Sequence, residues 1–239
     1  MRRPIVIGAI AALAVLALAA GGAYIYYFSG LRTSPPQLGL SASPIPSSST
    51  PTPYTGLAGR WIVGSGSVAG FRVKELFVGQ TSKHEAVART SSVSGELSVS
   101  GDTTTGYLVS GVKITVDLAE LHSTDQVAGR DVSQRDGVIA RELSVRSFPT
   151  ASFTTVSASV PAGVTSGQVD VPATGKLTIH GVTKDVTVKA KAQLIGDKVE
   201  IAGSVRIDMN DYGVAPPQVP FVTVESATTL EFDIFLTKS

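Results

Sequence analysis

The chain has no cysteine. That removes disulfides, thiolate catalysis, thiolate metal sites and a lipidated cysteine in one step. Redox compartment stays open, because exported domains without cysteine are common. Charge is scarce too: Asp, Glu, Lys and Arg make up 16% of the residues and the formal net charge is +1. No basic face is large enough to suggest nucleic acid. The chain has 3 histidines, His84, His122 and His180. None stands at metal-ligand spacing from another, and there is no H-E-x-x-H helix. There is no G-x-S-x-G elbow, and no Gly-Lys-Ser/Thr follows Gly64-Ser65-Gly66-Ser67 to make a phosphate loop. These absences point away from an enzyme. They leave no catalytic residue, no metal site and no cofactor to assign.

Long apolar runs, by contrast, are present. Met1-Arg2-Arg3 precedes an uncharged stretch from Ile5 to Phe28. As a helix it would reach about 36 Å, enough to span a bilayer core with some tilt. Arg2 and Arg3 would stay cytoplasmic and everything after Phe28 would be exported. The competing reading is a signal peptide cleaved after Ala17-Leu18-Ala19. The run does not stop there. It continues into Tyr24, Tyr26, Tyr27 and Phe28, an aromatic cluster where an interfacial belt belongs. Residues 1–28 are therefore read as a signal anchor. The protein is expected at the cell membrane, single-pass, with a cytoplasmic N-terminus and an extracytoplasmic folded domain. Residues 29–55 are rich in Pro, Ser and Thr and read as an extended, disordered stalk.

Residues 56–239 read as strands. Val186, Val188, Ala190, Ala192 and Leu194 alternate with Thr187, Lys189, Lys191 and Gln193, the period of a half-buried strand with one wet face. Gly196-Asp197 makes a two-residue turn. Pairing across it sets Leu194 against Val199, Ala192 against Ile201, Ala190 against Gly203, Val188 against Val205 and Val186 against Ile207. A slip of one residue would turn one strand's apolar set outward. The small Ala190–Gly203 pair leaves room on the inner face. Val112, Ile114, Val116 and Leu118 share another face, as do Leu230, Phe232, Ile234 and Leu236 against Glu231 and Asp233. From Asp125 to Leu143 the alternation stops. One or two short helices are expected there, broken near Gly129 or Gly137, with Ser123 or Thr124 as cap. This pattern is all-β with a helical insert, and fits a sandwich or a closed barrel.

Six strings, in order, resemble the YceI-like family. They begin with Trp61-Ile62 and the run from Ser67 to Val73, then Val116-Asp117-Leu118-Ala119-Glu120-Leu121-His122-Ser123. Next come Gln134-Arg135-Asp136-Gly137-Val138-Ile139, Phe148-Pro149-Thr150-Ala151-Ser152-Phe153, and the turn from Gly175 to Thr183 with its Leu-Thr-Ile-His-Gly-Val-Thr core. Asp211-Tyr212-Gly213-Val214 and Leu230-Glu231-Phe232 close the match. One departure is a loop from Thr124 to Ser133 that carries an additional Arg130-Asp131, so Arg135-Asp136 is taken as the pair of the family pattern.

The resemblance implies an antiparallel eight-stranded lipocalin-like barrel around an apolar cavity, holding a polyisoprenoid or an isoprenoid-quinone-like lipid. Each five-carbon unit buried would contribute about 3–4 kcal/mol gross, offset in part by ordering a floppy chain. The cavity wall is then expected from Phe71, Val73, Phe77, Leu97, Ile114, Val116, Ile139, Leu143, Phe153, Leu177, Ile179, Val186, Val188, Ala190, Ile201, Val205, Phe232 and Ile234. Arg135 has two readings, an anchor for the helix at the barrel rim or a contact to a lipid headgroup. His180 reads as a turn residue, with a role at the cavity mouth as the alternative. Expected partners are the lipid, the membrane through Ile5–Phe28, and a second copy in a homodimer; nucleic acid is not among them. The alternative function is a structural or interaction module whose barrel is filled by its own side chains.

Overall fold

The computed structural model describes residues 15–18, 21, 32–42, 56–127, 129–160 and 167–239. The strands, in chain order, begin with β1 (Arg32–Thr33), β2 (Gly59–Val63), β3 (Val68–Phe77), β4 (His84–Thr90), β5 (Val93–Asp102), β6 (Gly106–Asp117), β7 (His122–Ser123) and β8 (Gln126–Val127). After a helix over Gln134–Glu142 come β9 (Thr150–Val160), β10 (Val169–Asp170), β11 (Ala173–Ile179), β12 (Val182–Ile195), β13 (Lys198–Asp208), a 3-10 turn over Met209–Tyr212, and β14 (Val222–Lys238). Among the described residues no helix is long and apolar enough to cross a membrane. The 5–28 run expected to do so lies almost wholly outside the described residues; residues 15–18 are helical, with Val15, Leu16 and Leu18 exposed.

Eight strands close on themselves in the order β2, β5, β6, β9, β11, β12, β13, β14 and back to β2, every pairing antiparallel. Closure hinges on β14, which pairs with β13 along one side and with β2 and then β3 along the other. The Gly64–Ser67 turn is thus a kink between two strands that follow the same edge of β14, not a hairpin. The buried Ser67 hydroxyl pins it, donating to Gly64 O at 2.8 Å and accepting from Phe235 N–H at 3.0 Å. β4 and β7 extend the sheet beyond β3.

The β12–β13 hairpin turns at Gly196-Asp197 and keeps the expected register at Leu194–Val199, Ala192–Ile201 and Ala190–Gly203. It stops at Lys189–Ser204, so the expected Val188–Val205 and Val186–Ile207 pairs do not form. Beyond that point Val186 and Ile207 pack instead against the buried cluster of Leu177, Ile179, Tyr212 and Val214, and each strand keeps its other partner, Val186 opposite Gly175 and Ile207 opposite Thr228. The room expected at Ala190–Gly203 is also taken. A Cβ on Gly203 would meet the Phe232 ring at 2.9 Å, so the ring lies over the glycine.

The helix differs from expectation too. It is one helix, it runs unbroken through Gly137, and its N-cap is Ser133 rather than Ser123 or Thr124. Ser123 instead lies in β7, where its N–H donates to Asp136 at 2.8 Å. Gly137 faces open space and costs helix propensity. Gly137→Ala is therefore expected to stabilise the fold by about 0.5–1 kcal/mol, seen as a raised urea midpoint with an unchanged m-value.

Of the 29–55 segment expected to be a free stalk, residues 29–31 and 43–55 lie outside the described residues, and the other eleven differ from expectation. Residues 32–42 are not free of the barrel but lie across its outer wall. β1 pairs with β8. Ser34 donates to Glu85 O at 2.5 Å, and Leu38 N–H to Glu231 at 3.1 Å. Ser41 N–H and Oγ both donate to Glu200 at 2.8 Å, and Gln193 donates to Ser41 O at 2.9 Å. The wall face expected to be wet is consequently dry here: Glu200 is 0% and Glu231 1% exposed. Arg72 and Arg89 neutralise Glu231 at 2.9 and 2.8 Å and donate onward to the carbonyls of Pro35 and Pro36. The segment that buries these carboxylates thus brings backbone and hydroxyl groups that add to the bonds Glu231 takes from Arg72 and Arg89 and Glu200 takes from Gln193.

Asp233 lies in the same track. Burial and the adjacent Glu200 carboxylate push its carboxyl up to about 7 from an ordinary 3.8. Between those two pH values the folded chain binds more protons than the unfolded one, so stability falls as pH rises across the window. Asp233→Asn should flatten that slope and add about 1 kcal/mol at pH 8, after allowing for solvent screening. Urea midpoints at pH 5 and pH 8 check it; an unaltered difference between them would show that Asp233 does not carry the proton.

Candidate functional site

Period two on each barrel strand sends alternate side chains inward. They do not meet in the middle. The interior is a cavity of ≈ 810 Å³, within the range of small-molecule sites. The residues expected to form the cavity wall lie on it, from Phe71 and Phe77 on β3 through Val186, Val188 and Ala190 on β12 to Phe232 and Ile234 on β14; Ala192, expected with them from the same face of β12, does not line it, nor does Leu194. The helix contributes Ile139, followed by Leu143, as part of the same wall.

The cavity is one-ended among the described residues. Its wall residues that are exposed are Gly129, Arg130, Asp131, Gln134, Ala215 and Phe221, which come from two stretches at the helix-bearing end. At the other end Trp61 is buried with Leu97, Ile234 and Leu236, and its indole N–H donates to Leu57 O at 2.8 Å. Arg130 stands at the mouth. Its guanidinium lies 4.7 Å from the Phe77 ring centroid and 5.3 Å from that of Phe221, a cation–π sandwich.

Arg135 also lines the cavity, but its charge is spoken for. It donates to Asp125 at 2.7 Å and to Glu75 at 2.8 Å. His84 approaches Asp125 at 2.6 Å, and the Val87 N–H adds a bond at 3.1 Å. Burial raises Asp125, yet bonds from His84, Arg135 and Val87 outweigh it and hold the carboxyl at about 2. Glu75 goes the other way: burial raises it, and Arg135 and His84 only partly oppose that. The adjacent Asp136 accepts from Ser123 N–H and approaches His122 at 3.2 Å. Arg135 and Asp136 therefore clamp the helix to β3, β4 and β7, which is the anchoring reading of the pair. Glu75, His84 and Asp125 have the donor set for a metal ion, with ligand atoms within 4.8 Å of one another. Arg135 already supplies the positive charge between the two carboxylates, so a divalent ion would have to displace it.

His180 sits in the turn between β11 and β12, as read. His180 and Gly181 both have positive φ, 51° and 75°, the two-residue turn that suits a twisted hairpin. The imidazole approaches Tyr212 O at 3.3 Å and the Ser144 hydroxyl at 3.2 Å, and meets Phe148 edge-on at 4.8 Å. It ties the turn to the helix and the 3-10 segment and does not reach the cavity.

Two features escaped sequence reasoning. The Glu75–His84–Asp125–Arg135 cluster did, because its members come from β3, β4, a loop and the helix with no common spacing. The role of Arg130 did as well, although the additional Arg130-Asp131 in its loop was the signal to follow.

The fold and the site together define a small hollow antiparallel β-barrel, open at one end, with an apolar interior. Residues 62–236 match the model of the YceI-like domain family, and the chain belongs to that family. A UPF0312 protein of Pseudomonas putida is 32% identical over 130 residues, 51% of this chain and 59% of its own length. One from Pseudomonas syringae pv. tomato is 30% identical over 127 residues, 50% of this chain and 61% of its own length. The chain thus spans about three fifths of the length of these relatives. A solved polyisoprenoid binding domain from Saccharophagus degradans superposes with a TM-score of 0.51 at 15% identity, covering 76% of this chain and 99% of that one. That likeness is one of fold.

Arg135→Gln should leave Glu75 and Asp125 facing each other in a dry site. A loss of about 2–4 kcal/mol is expected, together with earlier unfolding on acidification. Asp125 stabilises the fold above pH 3.8 and loses that contribution as pH falls through about 2, and without Arg135 the loss begins at higher pH. Denaturant titrations at pH 7 and pH 3.5 read both effects; equal stability of variant and parent would mean the cluster is not a clamp.

Proposed function

We propose that the protein is a membrane-tethered, extracytoplasmic lipid-binding protein that holds or carries a polyisoprenoid or isoprenoid-quinone-like ligand in its barrel. The observation that carries this reading is the one-ended apolar cavity of ≈ 810 Å³. A barrel built as a structural module would fill its interior with side chains, as cores do to native packing density. This one leaves apolar walls unpartnered over a volume that a flexible hydrocarbon fits. The binding of polyisoprenoid by the Saccharophagus degradans domain, which shares the fold, fits the same ligand class. The uncharged 5–28 run supplies the tether and the export signal.

The residues act by burial and position. Phe71, Phe153 and Phe232 provide broad apolar surface, and the Val and Ile positions of β6, β12 and β13 complete the wall. No proton needs to move and no bond needs to break; the reading is non-enzymatic. Arg130 rather than Arg135 meets the polar end of the ligand. Among the described residues Arg130 makes no ion pair and sits at the mouth, whereas the Arg135 guanidinium is shared between two carboxylates.

The test is native mass spectrometry of the full chain in detergent, followed by solvent extraction. Bound prenyl lipid or quinone is expected. Ala190→Phe, which places a ring in the cavity, should cut uptake of added prenyl lipid at least tenfold while circular dichroism stays that of the parent. A chain that is empty as purified and refuses added prenyl lipids would end the reading.

A further inference from the structure

The docked segment fixes where the N-terminal run must leave the barrel. β1 begins at Arg32 and pairs with Gln126 and Val127 of β8. Val127, Gly129 and Arg130 belong to the cavity wall at the open end. The uncharged run ends at Phe28, four residues before Arg32. Four residues of extended chain reach at most about 14 Å, whereas a free stalk of residues 29–55 would reach about 90 Å. The tether is therefore short, and it leaves at the mouth.

The rim there has the chemistry of a membrane contact. Phe221 is 51% and Val78 74% exposed, among the most exposed large apolar side chains on the barrel. They stand side by side, with Val78 N–H donating to Phe221 O at 3.0 Å. Arg130 lies over the Phe221 ring. Two exposed apolar side chains next to a guanidinium that makes no ion pair among the described residues suit the boundary between headgroups and acyl chains of an anionic leaflet.

We propose that residues 32–42 are an orienting strap, not a spacer: docked on the outer wall, they hold the cavity mouth, through Val78, Phe221 and Arg130, against the anionic bilayer surface that anchors the chain. This rests on the tethered reading of the N-terminal run. Its consequence is that a lipid passes between leaflet and cavity without crossing water. The strap's hold is specific, since Leu38 and Ser41 contact the buried Glu231 and Glu200. The strand pairings that close the barrel do not include these two strap residues.

The absence of cysteine makes the test direct. Val78→Cys at the rim and Asp197→Cys in the hairpin at the opposite end each give one site for a fluorophore. The labelled full chains are reconstituted into phosphatidylcholine–phosphatidylglycerol vesicles carrying a spin-labelled lipid. Quenching at Val78→Cys several-fold stronger than at Asp197→Cys is expected. Adding T33P, L38P and S41P, which disrupt the β1–β8 pairing and remove the N–H donors to Glu231 and Glu200, should bring the rim signal down to that of the hairpin while circular dichroism is unchanged. Equal quenching at the two sites, or a difference that survives T33P/L38P/S41P, overturns the proposal and leaves the tether standing. A chain that fails to sediment with the vesicles overturns both. Prenyl-lipid binding in detergent is measured separately and bears on neither outcome.

Discussion

Closure of the sheet through β14 is the constraint on which everything else rests. A strand of 17 residues, Val222–Lys238, pairs on both edges and so joins the end of the chain to β2 and β3. Once the circuit is closed, the barrel strands have no free edge to protect. Backbone satisfaction then no longer depends on a filled interior. In an open sandwich the two inner faces must pack against each other to hold the layers together. In a closed barrel the ladders hold the wall, and the middle can stay empty at the cost of the contacts a core would make. The cavity is a consequence of the hydrogen-bond circuit before it is a consequence of any particular side chain.

A hollow barrel loses core stabilisation, and buried polar contacts hold its appendages in place. The helix is fastened by Arg135 to Asp125 and Glu75, and by Asp136 to β7. The strap is fastened by Glu231 and Glu200, with Arg72, Arg89 and Gln193 completing the bonds. Buried ion pairs return little net stability against well-packed apolar groups, because desolvation consumes most of the Coulomb gain. What they give here is geometry. An apolar strap could slide along an apolar wall, but Leu38 N–H and Ser41 N–H have one register each that satisfies both carboxylates. The same holds for the helix, whose bidentate Arg135 fixes its position over the mouth.

The cavity wall was legible in the sequence because period two is a strong signal when a strand is long. Leu230, Phe232, Ile234 and Leu236 could only face one way, and the turn at Gly196-Asp197 fixed the partner strand as far as Ala190–Gly203. The pairing ends beyond that point, where Val186 and Ile207 pack against a cluster that includes Tyr212 and Val214, residues outside both strands. The strap was illegible for a related reason. Its composition is that of a solvated linker, and what docks it is a set of carboxylates 159 and 193 residues away in sequence. Glu200, Glu231 and Asp233 sit at alternate positions that look like a wet face. They are one in every respect except that another part of the chain covers them. Arg135 was read with two alternatives, and the deciding fact, the pair of carboxylates beside it, comes from elements with no local spacing to it.

A cavity with one opening imposes a condition that a through-channel would not. Ligand must enter and leave by the same mouth, so the barrel itself cannot set a direction of transfer. Direction has to come from what the mouth faces and from when it faces it. The Trp61 cluster closes one end, and the helix and the Pro217–Phe221 stretch shape the other. The strap starts beside that second end, at β8, and runs away from it along the outer wall toward Glu200. Docking removes most of the reach that residues 32–42 would have as extended chain. The same hydrogen bonds that Glu200 and Glu231 accept thereby fix the path of this segment from the mouth along the outer wall.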